Sequence, residues 1–427
     1  LNLVERYGDS LIKECEIEIG GQLIDRHTSL WNRVYSDLTE FNPSGHFGGS
    51  GKPGMHPAIL SGAGTLFQLM TGNGYGLNTG VHVSSGNEFG PPGGGDTPRD
   101  INGFTYTQGE TDTPSAVNAS IAVNKIFIPL NFWFNRDPGL SLPLIALQYH
   151  EVKLKMTFEE SSNLARQSIS TQTPASQLHW YASPIKDVDI TISPANFDLW
   201  CDYIYLDTDE RRRFAQVSHE YLIDQVQIKT TTISQATEKI ELSFNHPVKE
   251  LIWTMRNETI GDSANEGGRH QTPGDDLGDS SSGPVSIDEI HGKWKLTLNG
   301  KDRFKERDTI YFTRTQVWQH HTGYGGVPSV GYKHNIYGNR PTDSEENVSQ
   351  DSILVYSFAL KPEEHQPSGT CNFSRIDSSE LIGTELKVNT VNVGHTDNAT
   401  NVKMTIFAVN YNVLRIMSGM GGLAYSN

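Results

Sequence analysis

Residues 16–27 read EIEIGGQLIDRH, and residues 296–307 read LTLNGKDRFKER. Each is a run of alternating apolar and polar residues, then a Gly-containing turn, then a charged exit. Successive side chains of a strand point to opposite faces. In the stretch KECEIEI, Cys15, Ile17 and Ile19 therefore share one face while Glu14, Glu16 and Glu18 share the face turned to water. That is the pattern of an antiparallel strand buried on one side.

The same period runs through the chain. Val152, Leu154, Met156 and Phe158 alternate with Lys153, Lys155 and Thr157. Half-buried strands are expected likewise around Phe197, Leu199, Cys201 and Tyr203, around Ile240, Leu242 and Phe244, and around Trp294, Leu296 and Leu298. Amphipathic helices are scarce. The best is LWNRVYSDL, where Leu30, Trp31, Val34 and Leu38 share a face and Thr28 or Ser29 can cap the start.

The chain also echoes itself at long range. FIPLNFWFNRDPGLSLP (127–143) and ILVYSFALKPEEHQPSG (353–369) both read as an aromatic strand followed by a polar Pro/Gly turn. Each half closes on apolar strands, LQYHEVKLKMTF in the first and VKMTIFAVNYNVLRIM in the second. The repetition suggests two β-sandwiches in tandem, which a chain of 427 residues is long enough to fill. Between the strands lie long Gly/Pro/Ser/Asn stretches, chiefly 42–120, 257–290 and 319–350, expected to decorate a surface.

Composition narrows the function. A net charge of −16 repels a polyanion, so direct nucleic-acid binding is not expected. Three scattered cysteines, Cys15, Cys201 and Cys371, do not make a disulfide framework. No apolar run approaches the roughly 18–20 residues that span a bilayer as a helix. The opening residues LNLVERYGDS resemble neither a signal peptide nor an initiator, and upstream sequence is expected to be missing.

One charged cluster, LDTDERRRF (206–214), stands out in this β-rich chain. Asp207 can cap a helix whose third residue is Glu210, and Asp209, Arg211, Arg212 and Arg213 follow the order that a helix dipole favours. The spacings Asp207 to Arg211 and Asp209 to Arg213 would give each arginine a carboxylate one turn away. The expected role is a capped connecting helix over 207–216, between a first sandwich at 1–206 and a second at 217–427.

Catalytic and cofactor motifs fail on inspection, and neither an enzyme nor a cofactor is expected. HFGGSGKPG (46–54) imitates a phosphate-binding loop, but His46 and Pro53 stand where Gly and Ser/Thr are needed. His150–Glu151 and His219–Glu220 lack the second histidine of a zinc-protease helix, and His150 reads as part of a strand. A metal-binding jelly roll would use His-x-His. His320 and His321 are adjacent, so on a strand they would face opposite ways. GGSGK carries Lys52 in place of the last Gly of a nucleophile elbow. Sequons occur at Asn118, Asn257, Asn347, Asn372 and Asn398; Asn257, Asn347 and Asn398 are the surface candidates for glycosylation, and Asn372 reads as strand or tight turn.

Five stretches, taken in order, are specific. IEIGGQLIDRH, FWFNRDPGLSLPLIALQYHEVKL, YIYLDTDERRRFAQVSHEYLIDQVQ, VYSFALKPEEHQPSGTCNFSRID and NYNVLRIMSGMGGLAYSN together resemble the major capsid proteins of nucleocytoplasmic large DNA viruses, the group that includes chlorella viruses, iridoviruses and mimiviruses. The resemblance runs from near residue 11 to the end. It implies an all-β double jelly roll of two eight-stranded sandwiches, with the first lacking its opening strands in this chain. It also implies a homotrimer whose six sandwiches form a pseudo-hexagonal capsomer of an icosahedral shell. The implied partners are neighbouring capsomers, minor capsid proteins and, through them, an internal viral membrane. The implied location is the virion, after assembly in the host cytoplasm. The competing readings from the residues are a β-sandwich lectin and a metal-dependent jelly-roll enzyme.

Overall fold

A computed structural model of the protein describes residues 2–3, 7–40, 66–71, 105–106, 121–122, 126–159, 165–168, 182–184, 197–257, 292–323, 325, 353–386 and 402–425. In the first half the strands are β1 (Asn2–Leu3), β2 (Ile12–Ile19), β3 (Gln22–Thr28), β4 (Thr105–Tyr106), β5 (Ile121–Ala122), β6 (Val152–Phe158), β7 (Ala165–Ser168) and β8 (Ala182–Pro184). The second half adds β9 (His219–Ile233), β10 (Glu238–Glu241), β11 (Pro247–Asn257), β12 (Lys293–Leu298), β13 (Lys301–Asp302) and β14 (Arg307–Asp308). It ends with β15 (Ile353–Ser357), β16 (Cys371–Asn372), β17 (Ser379–Thr384), β18 (Val402–Met417) and β19 (Met420–Leu423). The helices used below are α1 (Ser29–Thr39), α2 (Trp133–Arg136), α3 (Thr208–Gln216) and α4 (Gln316–His320).

The second half packs two antiparallel sheets face to face. One has the order β10-β17-β12-β13, with β14 beside β12; the other has β15-β11-β18-β19, with β9 on β18 and β16 on β11. Ile240, Trp294, Leu296 and Leu381 from the first sheet meet Leu251, Trp253, Met255, Met404 and Ile406 from the second. The outer face of the second sheet is also apolar. Ile252, Ile353, Val355, Phe407 and Val409 pack there against Leu30, Trp31, Val34 and Leu38 of α1. A sheet covered on both sides needs apolar residues at consecutive positions, which explains the unbroken runs ELIWTM and TIFAV.

Helix α1 forms where its spacing predicts. Thr28 Oγ1 accepts from Trp31 N at 3.3 Å, satisfying one of the free N–H groups of the first turn. In the first half, the three-stranded sheet β3-β2-β6 buries Cys15, Ile17 and Ile19 as the alternation requires. Burial, and next the charges of Glu16 and Asp25, push the Cys15 thiol up to about 12, so it stays a neutral core group.

Strands β9 and β18 tie the halves together. They pair without interruption from Ile233↔Val402 to His219↔Ile416, a ribbon of roughly 50 Å at about 3.4 Å per residue. One face of β18 changes character along this length. Met404, Ile406 and Ala408 enter the core between the two sheets, and Leu414 and Ile416 enter the core of the first half with Ile17, Ile19 and Trp133. Between them sit Asn410 and Asn412, both buried. Gln227 Nε2 donates to Asn410 Oδ1 at 2.9 Å and Asn412 Nδ2 donates to Gln225 Oε1 at 2.9 Å, so the polar divider is internally satisfied.

The two echoing stretches at 16–27 and 296–307 are both two-residue hairpins. Gly20 and Gly21 have φ of 58° and 82°, and Asn299 and Gly300 have 50° and 73°. Positive φ at both turn positions matches the twist of the strands they join. At Gly20 a side chain would also overlap the His150 ring, whose Nδ1 lies 2.8 Å from Gly421 O. Gly20→Ala is therefore expected to lower unfolding free energy by roughly 2 kcal/mol, from left-handed strain plus the disturbed hydrogen bond. Gly21 has open space around it, so Gly21→Ala should cost only about 1 kcal/mol, from its left-handed backbone alone. Urea titration of the two variants checks the difference, and equal losses would remove His150 from the account.

Several expectations are corrected. Residues 197–203 form no strand: Leu199 and Tyr203 are exposed, and Phe197 is stacked on Phe158 at 4.1 Å between ring centroids. Alternation there has no neighbouring strand among the described residues to pair with. FIPLNFWFNRDPGLSLP is not a strand either, because Trp133–Arg136 is one helical turn and Pro138–Leu140 a 3-10 turn. Phe132 and Phe134 stack, Trp133 stands edge-on to both, and the three fill the first core from that turn. His150 precedes β6 rather than lying in it, and His320 and His321 end helix α4. Most of 42–120, 257–290 and 319–350 lies outside the described residues.

Candidate functional site

The bulge in β11 sets up a charged cluster in the interior. Val248 pairs with Asn410 and Glu250 with Val409, so Lys249 is an extra residue in the ladder. A bulge lets residues on either side of it face the same way. Val248 and Leu251 accordingly both enter the core between the sheets, while Lys249 turns into the cleft between this sheet and the first half.

Lys249 is 1% exposed. Its Nζ donates to Asp224 Oδ2 at 3.0 Å and to Pro362 O at 2.9 Å, and it stands 4.9 Å from the centre of the Tyr411 ring. Burial, and after it the Asp224 charge, hold the Tyr411 phenol well above its ordinary range. Arg136, from α2, donates to the same Asp224 oxygen at 3.3 Å and lies 5.5 Å over the Tyr35 ring of α1. On β3, Asp25 Oδ1 accepts from Val226 N at 3.1 Å and Asp25 Oδ2 pairs with His27 Nε2 at 3.1 Å.

His321 completes the cluster. Nε2 faces Glu250 Oε2 at 2.9 Å and Nδ1 faces Glu363 Oε1 at 3.0 Å. Asp25, Arg136, Asp224, Lys249, Glu250, His321 and Glu363 all line one cleft. Lys249, Arg136 and His321 balance Asp224, Glu250 and Glu363, and each is already engaged by an opposite charge. Such an arrangement holds elements together. Among the described residues no group of three or more His, Cys, Asp or Glu side chains is placed to hold a metal.

The residues singled out in 207–213 lie together on α3. Asp207 Oδ1 accepts from Glu210 N at 2.9 Å, which is the expected cap. The expected one-turn ion pairs are not formed. Arg211 Nε donates instead to Leu206 O at 3.1 Å, and Arg212 lies 3.7 Å from Asp209. Arg213 makes no ion pair among the described residues, and the helix exposes its charged face to solvent. Asn257 ends β11, whereas Asn347 and Asn398 lie outside the described residues, as does Asn118. Asn372 is half-buried in β16 and caps the following 3-10 turn by accepting from Ser374 N at 3.1 Å.

Sequence reasoning missed Lys249, Glu250 and His321. The available signal was two adjacent charges opening an otherwise apolar strand, KELIWTM. A charge there has to be paired, because burying it alone is costly.

Comparison with known proteins agrees with this architecture. Residues 210–422 match the family model described as large eukaryotic DNA virus major capsid protein, and residues 103–207 match that of the major capsid protein N-terminus. The chain is 40% identical to the major capsid protein of Pyramimonas orientalis virus over 98% of its own length and 78% of that protein. It is 37% identical to the major capsid protein of Paramecium bursaria Chlorella virus 1, over 98% of its own length and 80% of that protein. Among solved structures, a chain of the PBCV-1 virus capsid quasi-atomic model covers all of this chain and 86% of its own length, at 29% identity and a TM-score of 0.56. The fold is the all-β double jelly roll, and the chain belongs to the family of large eukaryotic DNA virus major capsid proteins.

Proposed function

We propose that the chain associates as a homotrimer whose six sandwiches make a pseudo-hexagonal capsomer, and that capsomers tile the icosahedral shell of a large double-stranded DNA virus. The seam of the trimer is apolar and large, on the order of 2,000 Å² or more per pair of subunits, as obligate contacts are. Contacts between capsomers are smaller and more polar. Minor capsid proteins bridge the shell to an internal membrane, and assembly takes place in the host cytoplasm. Residues 1–206 and 217–427 are the two sandwiches, and 207–216 is the capped connection between them. Asn257, Asn347 and Asn398 are the candidate sugar carriers.

The observation that carries this reading is a pair of large apolar side chains turned outward. Trp318 is 82% exposed and Leu360 is 75% exposed, and His320 Nδ1 donates to Leu360 O at 3.0 Å, which keeps the two elements side by side. Exposed apolar groups held this firmly are what another subunit covers. The net charge of −16 further supports a tile that does not touch nucleic acid.

Mass photometry and negative-stain microscopy of the purified protein test it. Three-fold particles of hexagonal outline, persisting in moderate salt, are expected. Trp318→Asp should raise the dissociation constant of the trimer by tenfold or more, in line with loss of about 1.4 kcal/mol or more at a buried aromatic contact. A wild-type monomer, or trimers that fall apart on adding salt, would count against the reading.

A further inference from the structure

Helix α1 ends at a place where something must satisfy its last carbonyls. The segment after α4 does this. Gly323 N donates to Leu38 O at 2.7 Å and Gly325 N donates to Asp37 O at 2.7 Å. The Thr322 hydroxyl lies 2.9 Å from both Thr39 O and Glu363 Oε2 and can donate to one at a time. The approach is so close that a Cβ on Gly323 would sit 2.5 Å from Asp37 O. His321, Thr322, Gly323 and Gly325 of the second half thus strap the end of a helix from the first half.

His321 pins the strap. Both of its ring nitrogens face carboxylate oxygens, those of Glu250 on β11 and of Glu363 in the turn after β15. Carboxylates accept and do not donate when ionised, so both nitrogens must carry a proton and the ring is a cation. Glu363 Oε1 also accepts from Thr322 N at 3.0 Å, which joins the pin to the strap. The other charged and titratable groups around the cleft are Asp25 and His27 on β3, Tyr35 on α1, Arg136 on α2, Asp224 on β9, Lys249 on β11 and Tyr411 on β18. Among these, Asp224 is engaged by Lys249 and Arg136, and Asp25 by His27.

We propose that His321, Thr322, Gly323 and Gly325 form a base-released latch between the two halves: it stays closed through neutral and mildly acidic pH while the His321 imidazole carries both of its protons, and it opens when that imidazole loses one. A neutral imidazole has one N–H and one lone pair, so one of the two carboxylates would face a lone pair inside a nearly dry site. The strap then parts from β11 or from Glu363, and the end of α1 loses its partners.

The direction in pH follows from the surroundings. Burial alone would make the imidazole a weaker base; Glu250 and then Glu363 outweigh it and raise His321 from 6.5 to about 9. The folded protein holds this proton more tightly than the unfolded chain. Its contribution to stability is therefore complete below about pH 6.5 and is lost as pH rises through about 9.

Two measurements on the full chain test the latch. Unfolding is followed from pH 6 to pH 10 for the wild type and for His321→Gln, whose amide keeps a donor but does not titrate. The wild type should lose on the order of a hundredfold more of its folded-to-unfolded ratio across this range than the variant does. Parallel curves would overturn the proposal. Should the variant fail to fold, hydrogen exchange of wild-type peptides covering 321–325, corrected for the intrinsic rate, decides the matter. Protection at pH 7 that is lost by pH 9.5, ahead of protection in β11, supports the latch. Protection that is unchanged, or lost together with β11, overturns it.

Discussion

Replacing Lys249 with methionine is expected to lower the unfolding free energy by about 3–5 kcal/mol, a large effect for a single charge removed from a protein of this size. Methionine fills most of the same space, so the loss is electrostatic rather than a cavity. The variant leaves Asp224 buried with Arg136 as its remaining cation at 3.3 Å, and Arg136 is itself partly open to solvent. Pro362 O loses its donor and the Tyr411 ring loses its cation. Urea unfolding read by tryptophan fluorescence measures the change.

The double variant Lys249→Met/Asp224→Asn separates the pair from its surroundings. Removing the second charge should recover part of the loss, because the cost of the single variant is chiefly that of a carboxylate stranded in a dry site. A single-variant loss below about 1 kcal/mol would mean that water or a rearranged Arg136 replaces Lys249. The bulge in β11 would then not be what keeps the Asp224 charge compensated.

Trp253→Ala should cost a comparable amount, about 3–5 kcal/mol, for a different reason. Trp253 is fully buried at the centre of the core between the two sheets, edge-on to Trp294 at 5.8 Å and tilted against Phe312 at 5.3 Å. Truncation opens a cavity that its rigid aromatic neighbours cannot fill. Trp253→Phe should cost much less, roughly 1.5 kcal/mol or below. The indole N–H that it removes has no hydrogen-bond partner among the described residues, so part of the lost packing is offset. Thermal or urea unfolding of both variants gives the comparison. Equal losses would show that the indole N–H is satisfied after all.

The two kinds of prediction correspond to what was and was not legible in the amino-acid sequence. Strands β2, β6 and β12 and helix α1 lie where their periodicity places them, β10 covers only Ile240 of its expected apolar residues because it ends at Glu241, and the hairpin glycines and the Asp207 cap do what their chemistry demands. All of these are local. A strand's faces are decided by the backbone every two residues, and a cap by atoms three residues away. The run LWCDY at 199–203 has the right period and still forms no strand, because period alone does not supply a partner.

The five ordered stretches that resemble capsid proteins determined, by themselves, the family, the all-β class and the double sandwich. Packing decided the rest. His321 meets a carboxylate 71 residues away, and Asn412 meets a glutamine 187 residues away. The charges opening KELIWTM hint that Lys249 needs a partner, but its place in the cleft depends on a bulge and on a second element closing over it. Burial of charge is a property of the whole arrangement, because the free energy of an ion depends on which distant groups have replaced its water.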